Sequence, residues 1–350
     1  MAQTKLAEER NKILKAYVLE SFGLENLKLL SIDDPTSPNK GEVLIQFKNV
    51  SINYRDTLVI AGKYDPRFPL PMVPLSDGAG VVLEVGEGVT DFKVGDSVIT
   101  AFAPEWRDGI PRREEFRNSL GGPLDGTMRE FGVFSAKSIV KSPSNLSLAQ
   151  SSSLPCAALT AWSALMEANP ILPGQTVLVQ GTGGVSLFAL QIAKKLGAKV
   201  ICLSSSPDKF ERARDLGADF IISTKEFPEW GKEARKITEK RGVDHIIEIG
   251  GMNTLSQSIA ASSSFGTISL IGVLGGNSMN TNLLPVVMNQ IRMQGIVVGS
   301  VRALDRMCRA IEVWDLKPVL EPVLDWNDAI EVLKEFPKGK HFGKVVMEIT

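Results

Sequence analysis

Hydrophobic and polar positions change their rhythm near residue 150. Between Lys15 and about Val140, apolar and polar residues alternate in short runs broken by Gly and Pro: "KAYVLESFG", "GEVLIQFKNVSIN", "GAGVVLEVGEGV" and "VGDSVITAFAP". A period of two sends alternate side chains to opposite faces, so each run predicts a half-buried strand. Turn residues at this spacing predict a small, twisted β-barrel or sandwich. The stretch "APEWRDGIPRREEFRNSLGGPLDGTMRE" is charged and rich in Gly and Pro, and is expected to form a long surface loop. Loops of that length in compact domains are often binding loops or lids.

From about Ser151 the period is different. Near-continuous apolar runs ("TVLVQ", "KVICLS", "DFIIS", "DHIIEIG", "GTISLIGV", "MQGIVVGS") alternate with helix-length amphipathic segments. The helical segments are "VSLFALQIAKKLG", "PDKFERARDLG", "WGKEARKITEKRG", "TLSQSIAASSS" and "NLLPVVMNQI". Strands apolar on both faces and joined by helices imply a parallel sheet covered on both sides, an α/β doubly wound unit. After Ser300 come a helix, "ALDRMCRAIEVWDL", and a last strand, "GKVVMEI", too little for a separate core. The expected organisation is a tail over 1–14, a β-rich domain over 15–150 plus 301–350, and a Rossmann domain over 151–300.

Composition narrows the function. Apolar residues make up 43% and charged residues 23% of the 350, and the net charge is −1. That balance gives no electrostatic footprint for nucleic acid and disfavours a membrane-surface role. Cys156, Cys202 and Cys308 are far apart, and His245 and His341 are the only histidines, so neither a disulfide framework nor a local metal cluster is encoded. No apolar run is long enough to span a membrane, and the charged start "MAQTKLAEERNKIL" lacks the apolar core of a signal peptide. A cytoplasmic protein is expected.

The strand "TVLVQ" runs directly into Gly181-Thr182-Gly183-Gly184-Val185-Ser186 and then a helix. Gly181 permits the tight turn, Gly183 lets backbone approach a pyrophosphate, and the helix N-terminus offers free N–H groups. Ser186 stands where the third glycine of such a loop is usual. This strand–turn–helix context predicts dinucleotide binding, against a merely structural glycine turn. At the tip of the next strand, Leu203-Ser204-Ser205-Ser206-Pro207-Asp208-Lys209 has hydroxyls and Lys209 where an NAD site would place an acid. A carboxylate there would repel a 2′-phosphate, so NADP(H) is favoured, with NAD(H) still open. The alternative is that the serines cap the next helix and Lys209 is solvated. Gly250 and Gly251, Ile271-Gly272-Val273, and Val298-Gly299-Ser300 close other strands at their carboxyl ends, where ligands sit in open α/β sheets.

One acid is out of place. In "VPLSDGAGVV", Asp77 stands between apolar runs, and a buried carboxylate must be paired, ligate something or do chemistry.

Taken with the β-rich domain, the six-strand array and the C-terminal return, several segments resemble the medium-chain dehydrogenase/reductase superfamily of alcohol dehydrogenase-like proteins. They are "GAGVVLEVGEGVTDFKVGDSV", "LPCAALTAWSAL", "VLVQGTGGVSLFALQIAKKLGAKVI", "ERARDLGAD", "GVDHIIEIGG" and "HFGKVV". The resemblance implies a GroES-like β-barrel domain beside the Rossmann unit. Zinc members hold their metal with a Cys, a Gly-His-Glu segment and a second Cys. Those positions fall here on Asn53, on Leu75-Ser76-Asp77 and on Cys156, and the loop from Pro104 to Arg129 has no cysteine for a structural zinc. No zinc is therefore expected, and Cys156 is expected as a small buried hydrophobe. Asp77 is expected to hold local structure near an emptied metal pocket.

The chain resembles the zinc-independent branch, the quinone oxidoreductases and enone reductases. By that resemblance Asn53 and Asp56, in "NYRD", lie near the nicotinamide and the substrate carbonyl; the alternative is that they tie down a strand end. Tyr64 falls where related enoyl reductases place a substrate-donating tyrosine, with Tyr54 and Arg55 as less favoured choices. Thr160 matches a threonine that contacts the nicotinamide ribose. Lys344 either neutralises cofactor phosphate or is solvated, His341 and His245 are structural, and Trp106, Arg107 and Arg129 frame a loop over the substrate. The implied activity is hydride transfer from NADPH to quinones or α,β-unsaturated carbonyls. Alternatives are a small-alcohol dehydrogenase and a non-catalytic NADPH sensor. A homodimer is expected through the last Rossmann strand, whose apolar edge should not stay open.

Overall fold

The computed structural model describes residues 14–33, 37–272 and 282–350. They divide into two compact units. One takes the residues up to Cys156 together with Gly299–Thr350, and the other takes Ala157–Val298.

The first unit is built on strands β1 (Leu14–Leu19), β2 (Leu27–Ile32), β3 (Glu42–Ser51), β4 (Asp77–Val85), β5 (Ser97–Thr100), β6 (Phe131–Ser135) and β7 (Ile139–Lys141). Strand β1 begins at Leu14, itself buried, one residue before the expected start of the β-rich domain at Lys15. β1 and β2 form an antiparallel pair. The other five strands join a sheet in the order β14-β15-β3-β4-β5-β7, with β6 also on β3. Here β14 is Leu324–Asp325 and β15 is Val346–Glu348.

Strand β3 organises this unit. Its first half pairs antiparallel with β6, its last three residues pair with β15, and β4 runs along its whole length. The register sets Ser51 opposite both Asp77 and Val346. Three distant stretches, around residues 52, 77 and 344, are thereby brought together at one strand end. Alternate β3 residues Val43, Ile45 and Phe47 face the core, joined by Trp326 from the C-terminal return, against whose ring Tyr17 stands edge-on at 5.6 Å.

The stretch expected as a surface loop differs from that expectation. It contains a short helix, Arg113–Arg117, and Ser119–Gly122 and Gly126–Met128 are buried. A Cβ on Gly126 would stand 2.0 Å from the Leu75 carbonyl oxygen, so only glycine lets these backbones approach so closely. Composition alone reports polarity, whereas this segment buries Gly121, Gly122 and Gly126 and exposes most, though not all, of its charges.

In the second unit β8 (Thr176–Gln180), β9 (Lys199–Ser204), β10 (Phe220–Ser223), β11 (Val243–Glu248), β12 (Ser262–Leu270) and β13 (Arg292–Gly295) form one sheet. The order is β10-β9-β8-β11-β12-β13 and every neighbouring pair is parallel. All of β8 is buried, as a strand covered on both faces should be. The connection direction reverses between β8 and β11, which makes their carboxyl ends a topological switch point.

Two boundaries shift. The helix drawn through "TLSQSIAASSS" stops at Ala261, and Ser262 opens β12. The apolar run "MQGIVVGS" pairs only as far as Gly295; beyond it Val298 has φ 50°, and the Ser300 hydroxyl accepts from Ala303 N to cap the helix Val301–Trp314. Gly299 and Ser300 thus belong to the first unit, not to a Rossmann strand end. Among the described residues no helix is long and apolar enough to cross a membrane.

Candidate active site

In the first unit the polar centre lies where β3 ends. The helix Tyr54–Ile60 starts after Asn53, and the Asp56 carboxylate reaches back to accept Asn53 N at 2.8 Å. This is the capping geometry that turns an extended strand into a helix. The alternative role foreseen for the pair, tying down the strand end, is thus present for Asp56. Burial drives the Asp56 carboxyl up to about 6; Arg55 opposes this, Asp77 adds to it, and the Asn53 N–H and Lys344 lower it.

Asp77 is fully buried and surrounded by partners. Its Oδ1 accepts from Ser76 Oγ at 2.8 Å, and Oδ2 accepts from Ser51 Oγ at 3.3 Å and from Cys156 N at 3.4 Å. Lys344 Nζ lies 3.5 Å from the same Oδ2. Lys344 is neither solvated nor free for a phosphate: it is 3% exposed, and its ammonium donates to Asn53 Oδ1 at 2.6 Å and to the Ile52 carbonyl at 2.9 Å. Among the described residues Asn53 Nδ2 is buried with no partner.

The zinc-ligand positions therefore carry an amide (Asn53), a hydroxyl (Ser76) and a thiol (Cys156). Burial, reinforced by the Asp77 charge, pushes that thiol well above the ordinary cysteine range. Zinc needs thiolate, imidazole or carboxylate donors around one point, and this set does not fit it. Among the described residues no group of three or more His, Cys, Asp and Glu is placed to hold a metal ion.

Sequence reasoning undervalued Arg55. It is buried, donates through Nη1 to Leu120 O at 2.9 Å and through Nη2 to Gly122 O at 3.1 Å, and so straps the glycine-rich segment down. Its guanidinium also lies 5.0 Å from the ring centroid of Tyr64, whose side chain is exposed, as is that of Tyr54. Trp106 and Arg107 use their carbonyls to accept Val301 N and Arg302 N. Arg129 stacks its guanidinium on Phe134, and burial lowers its pKa. His341 stacks on Phe336, and His245 is buried in β11, where burial lowers its pKa.

In the second unit the glycine loop joins β8 to the helix Gly184–Lys195. Gly181 has φ 70°, a left-handed turn suited to glycine, and Gly183 is the helix N-cap with no side-chain cap. A Cβ on Gly183 would meet nothing within 4 Å, so the backbone borders the open space that an approaching phosphate requires. Gly184 and Val185 begin the helix. Ser186 fits the third glycine position because its hydroxyl donates to Gln180 O at 2.5 Å and stays buried. These residues fit a dinucleotide.

At the next strand tip Ser204 is buried and its hydroxyl accepts from Ser206 N, while Ser205 is exposed. Lys209 is buried rather than solvated, and Thr160 is buried in the helix Leu159–Trp162. Gly250 N is already engaged, donating to Glu248 Oε1 at 2.8 Å and Gln180 Oε1 at 3.1 Å. Gly272 is required by packing, since its Cβ would stand 2.1 Å from Ile249 O. Val273 lies outside the described residues. The buried Glu248 was missed. It breaks the apolar run "DHIIEIG" as Asp77 breaks its own, and that anomaly was the available signal.

Comparison with known proteins follows the same division. The alcohol dehydrogenase GroES-like domain family matches residues 39–144, and the zinc-binding dehydrogenase family matches 184–312. A zinc-type alcohol dehydrogenase-like protein of Schizosaccharomyces pombe is 41% identical over 337 residues, covering 94% of this chain and 97% of the relative. An acryloyl-coenzyme A reductase of Metallosphaera sedula is 30% identical over 345 residues, covering 95% and 99%. A crystal structure of an NAD-dependent alcohol dehydrogenase superposes with a TM-score of 0.87 at 32% identity, covering 96% of this chain and all of that one, 100%. The chain belongs to the medium-chain dehydrogenase/reductase superfamily and is an alcohol dehydrogenase-like, nicotinamide-dependent oxidoreductase.

Proposed function

We infer that this oxidoreductase is a zinc-independent, NADPH-dependent reductase of α,β-unsaturated carbonyls or quinones. The carrying observation is the buried Lys344 ammonium, set between Asn53 Oδ1 and Asp77 among the positions where zinc members place ligands. A site without a Lewis acid suits acceptors that are already electrophilic at carbon. The acryloyl-coenzyme A reductase among the relatives acts, by its name, on such a conjugated carbonyl.

When bound, the reduced nicotinamide supplies the hydride. The substrate oxygen then gains charge, and the Asn53 amide has an unengaged donor for it at Nδ2. Asp56 fixes the Asn53 backbone, and Tyr64 has an exposed hydroxyl able to return a proton. The seryl strand tip, Ser204 and Ser205, supports NADPH over NADH because no acid there repels a 2′-phosphate.

Oxidation of NADPH and NADH against a panel of quinones, enones, enoyl thioesters and aldehydes, with metal analysis, tests this. Conjugated acceptors should be turned over, NADPH preferred and chelators without effect. One zinc per chain, lost together with activity in chelator, would overturn it. The second reading, alcohol–aldehyde interconversion, is favoured by the alcohol dehydrogenase names among the relatives. Turnover restricted to aldehydes and alcohols would establish it.

The same reading includes a cytoplasmic homodimer joined through β13. In the short helix Leu284–Met288, which precedes β13 in the chain, Leu284, Val287 and Met288 expose more than half of their surface. A monomer at micromolar concentration in light scattering would defeat it.

A further inference from the structure

Lys344 is held at both ends. Its backbone N–H donates to Val319 O at 2.9 Å and its carbonyl accepts from Glu321 N at 2.9 Å, so the side chain starts from a fixed base. Its ammonium has three protons and three acceptors in reach: Asn53 Oδ1, Ile52 O and Asp77 Oδ2. A buried ammonium persists only when paired in this way, and Asp77 supplies the charge.

The Asn53 amide has two orientations related by a half turn. In the one present, Oδ1 accepts from the ammonium and Nδ2 is left as a buried donor with no partner. In the other, the amide N–H₂ would face the ammonium, donor against donor, and Oδ1 would be the orphan. A neutral side chain at 344 would remove the charged partner that discriminates between them, leaving only the Asp56 N–H of the capping box, which makes no side-chain cap hydrogen bond. Buried donors without partners are rare in folded proteins and mark strain or a ligand site.

We propose that Lys344 is a positioning residue: its ammonium stands in for the metal cation of the zinc members and locks the Asn53 amide with Nδ2 as the donor for the substrate oxygen. This rests on the reductase reading given above. The lysine touches no substrate; it acts through Asn53.

A double-mutant cycle on kcat, using a conjugated carbonyl turned over by the wild-type protein, tests the coupling. N53A should lower kcat about 100-fold, the usual cost of one oxyanion donor. K344M should lower it at least about tenfold on the same basis, through a disordered amide. The N53A/K344M double variant should be no worse than N53A alone, and K344R should recover most of the loss. NADPH affinity, measured on each variant, separates a loss of cofactor binding from a loss of kcat. Multiplying effects in the double variant, or a K344M that lowers Tm but not kcat, would overturn the proposal.

If K344M does not fold, N53D decides. Aspartate pairs with the ammonium but offers no N–H, so it should fold and lose kcat as N53A does; a kcat within fivefold of wild type would refute the role of Nδ2. Should only alcohols or aldehydes be turned over, the reductase reading fails while the cycle run on them still reports the coupling. With no substrate at all, the Asn53 side-chain N–H₂ signals in ¹⁵N spectra decide. They should be resolved in the wild type and broadened in K344M, and signals unchanged in K344M would refute the lock.

Discussion

Glutamine in place of Glu248 asks whether the turn beside the dinucleotide loop is held by one buried carboxylate. Five donors converge on it. Oε1 accepts from Gly250 N at 2.8 Å, Gly251 N at 2.9 Å and Thr254 Oγ1 at 2.5 Å. Oε2 accepts from Gln180 Nε2 at 2.7 Å and Ser258 Oγ at 2.5 Å. Glutamine keeps the shape and turns one acceptor into a donor. Its N–H₂ cannot occupy the Oε1 side, where two backbone N–H groups have no freedom to turn. On the Oε2 side the Ser258 hydroxyl can reverse and accept, but Gln180 Nε2 keeps only Ser258 Oγ, at 3.1 Å, and one of its two hydrogens is left unmet.

One charge-assisted hydrogen bond lost, plus one buried donor left unmet, amounts to about 3 kcal/mol. Urea unfolding followed by tryptophan fluorescence should show that loss in E248Q, since Trp230 lies in the core of the same unit. NADPH affinity should fall as well, because the turn at Gly250 lies at the switch point. E248A, which removes the acceptor that all five donors share, should be worse than E248Q. A loss below about 1 kcal/mol in E248Q would refute the reasoning from unmet donors.

Three other substitutions have signs fixed by the structure. G183A adds a methyl into open space, so stability should stay within about 0.5 kcal/mol while NADPH binding weakens at least about tenfold in a fluorescence titration. Leu75 is fully buried with φ 67°, so L75G should lose less stability than L75A, reversing the usual order in which glycine is worse by about 1 kcal/mol; denaturation midpoints decide. Asp56, raised to about 6 by burial, holds its proton in the folded state to higher pH than in the unfolded chain. Its contribution is complete below about pH 4 and fades as pH rises through about 6, by about 3 kcal/mol in all. Wild type should therefore lose more stability than D56N between pH 4.5 and 7.5 in urea titrations, and equal slopes would refute the assignment.

Periodicity made both sheets legible, because a strand's faces are set by residues two apart. It overran at Val298-Gly299-Ser300, where an apolar run looks like a strand, but a strand also needs a paired neighbour and β13 loses its own at Gly295. The glycine loop was legible because its function lies in one local turn. Asp77 was legible only as an anomaly: a carboxylate among apolar residues announces that a partner exists without saying where. Lys344 stands 291 positions from Asn53, and only the β15–β3 register brings them together.

The departures from the zinc pattern form one system rather than separate losses. Asn53 and Ser76 cannot ligate zinc, and burial keeps Cys156 a thiol, yet Asp77 keeps its acid in the interior. A buried carboxylate among such neutral groups would be destabilising by several kcal/mol without a cation beside it. Lys344 supplies that cation, and the same ammonium, reaching Asn53 Oδ1, decides which face of the amide is left for a ligand. On the proposed reading, this ion pair and the donor it leaves at Asn53 Nδ2 are what a reductase of conjugated carbonyls would use in place of a metal ion.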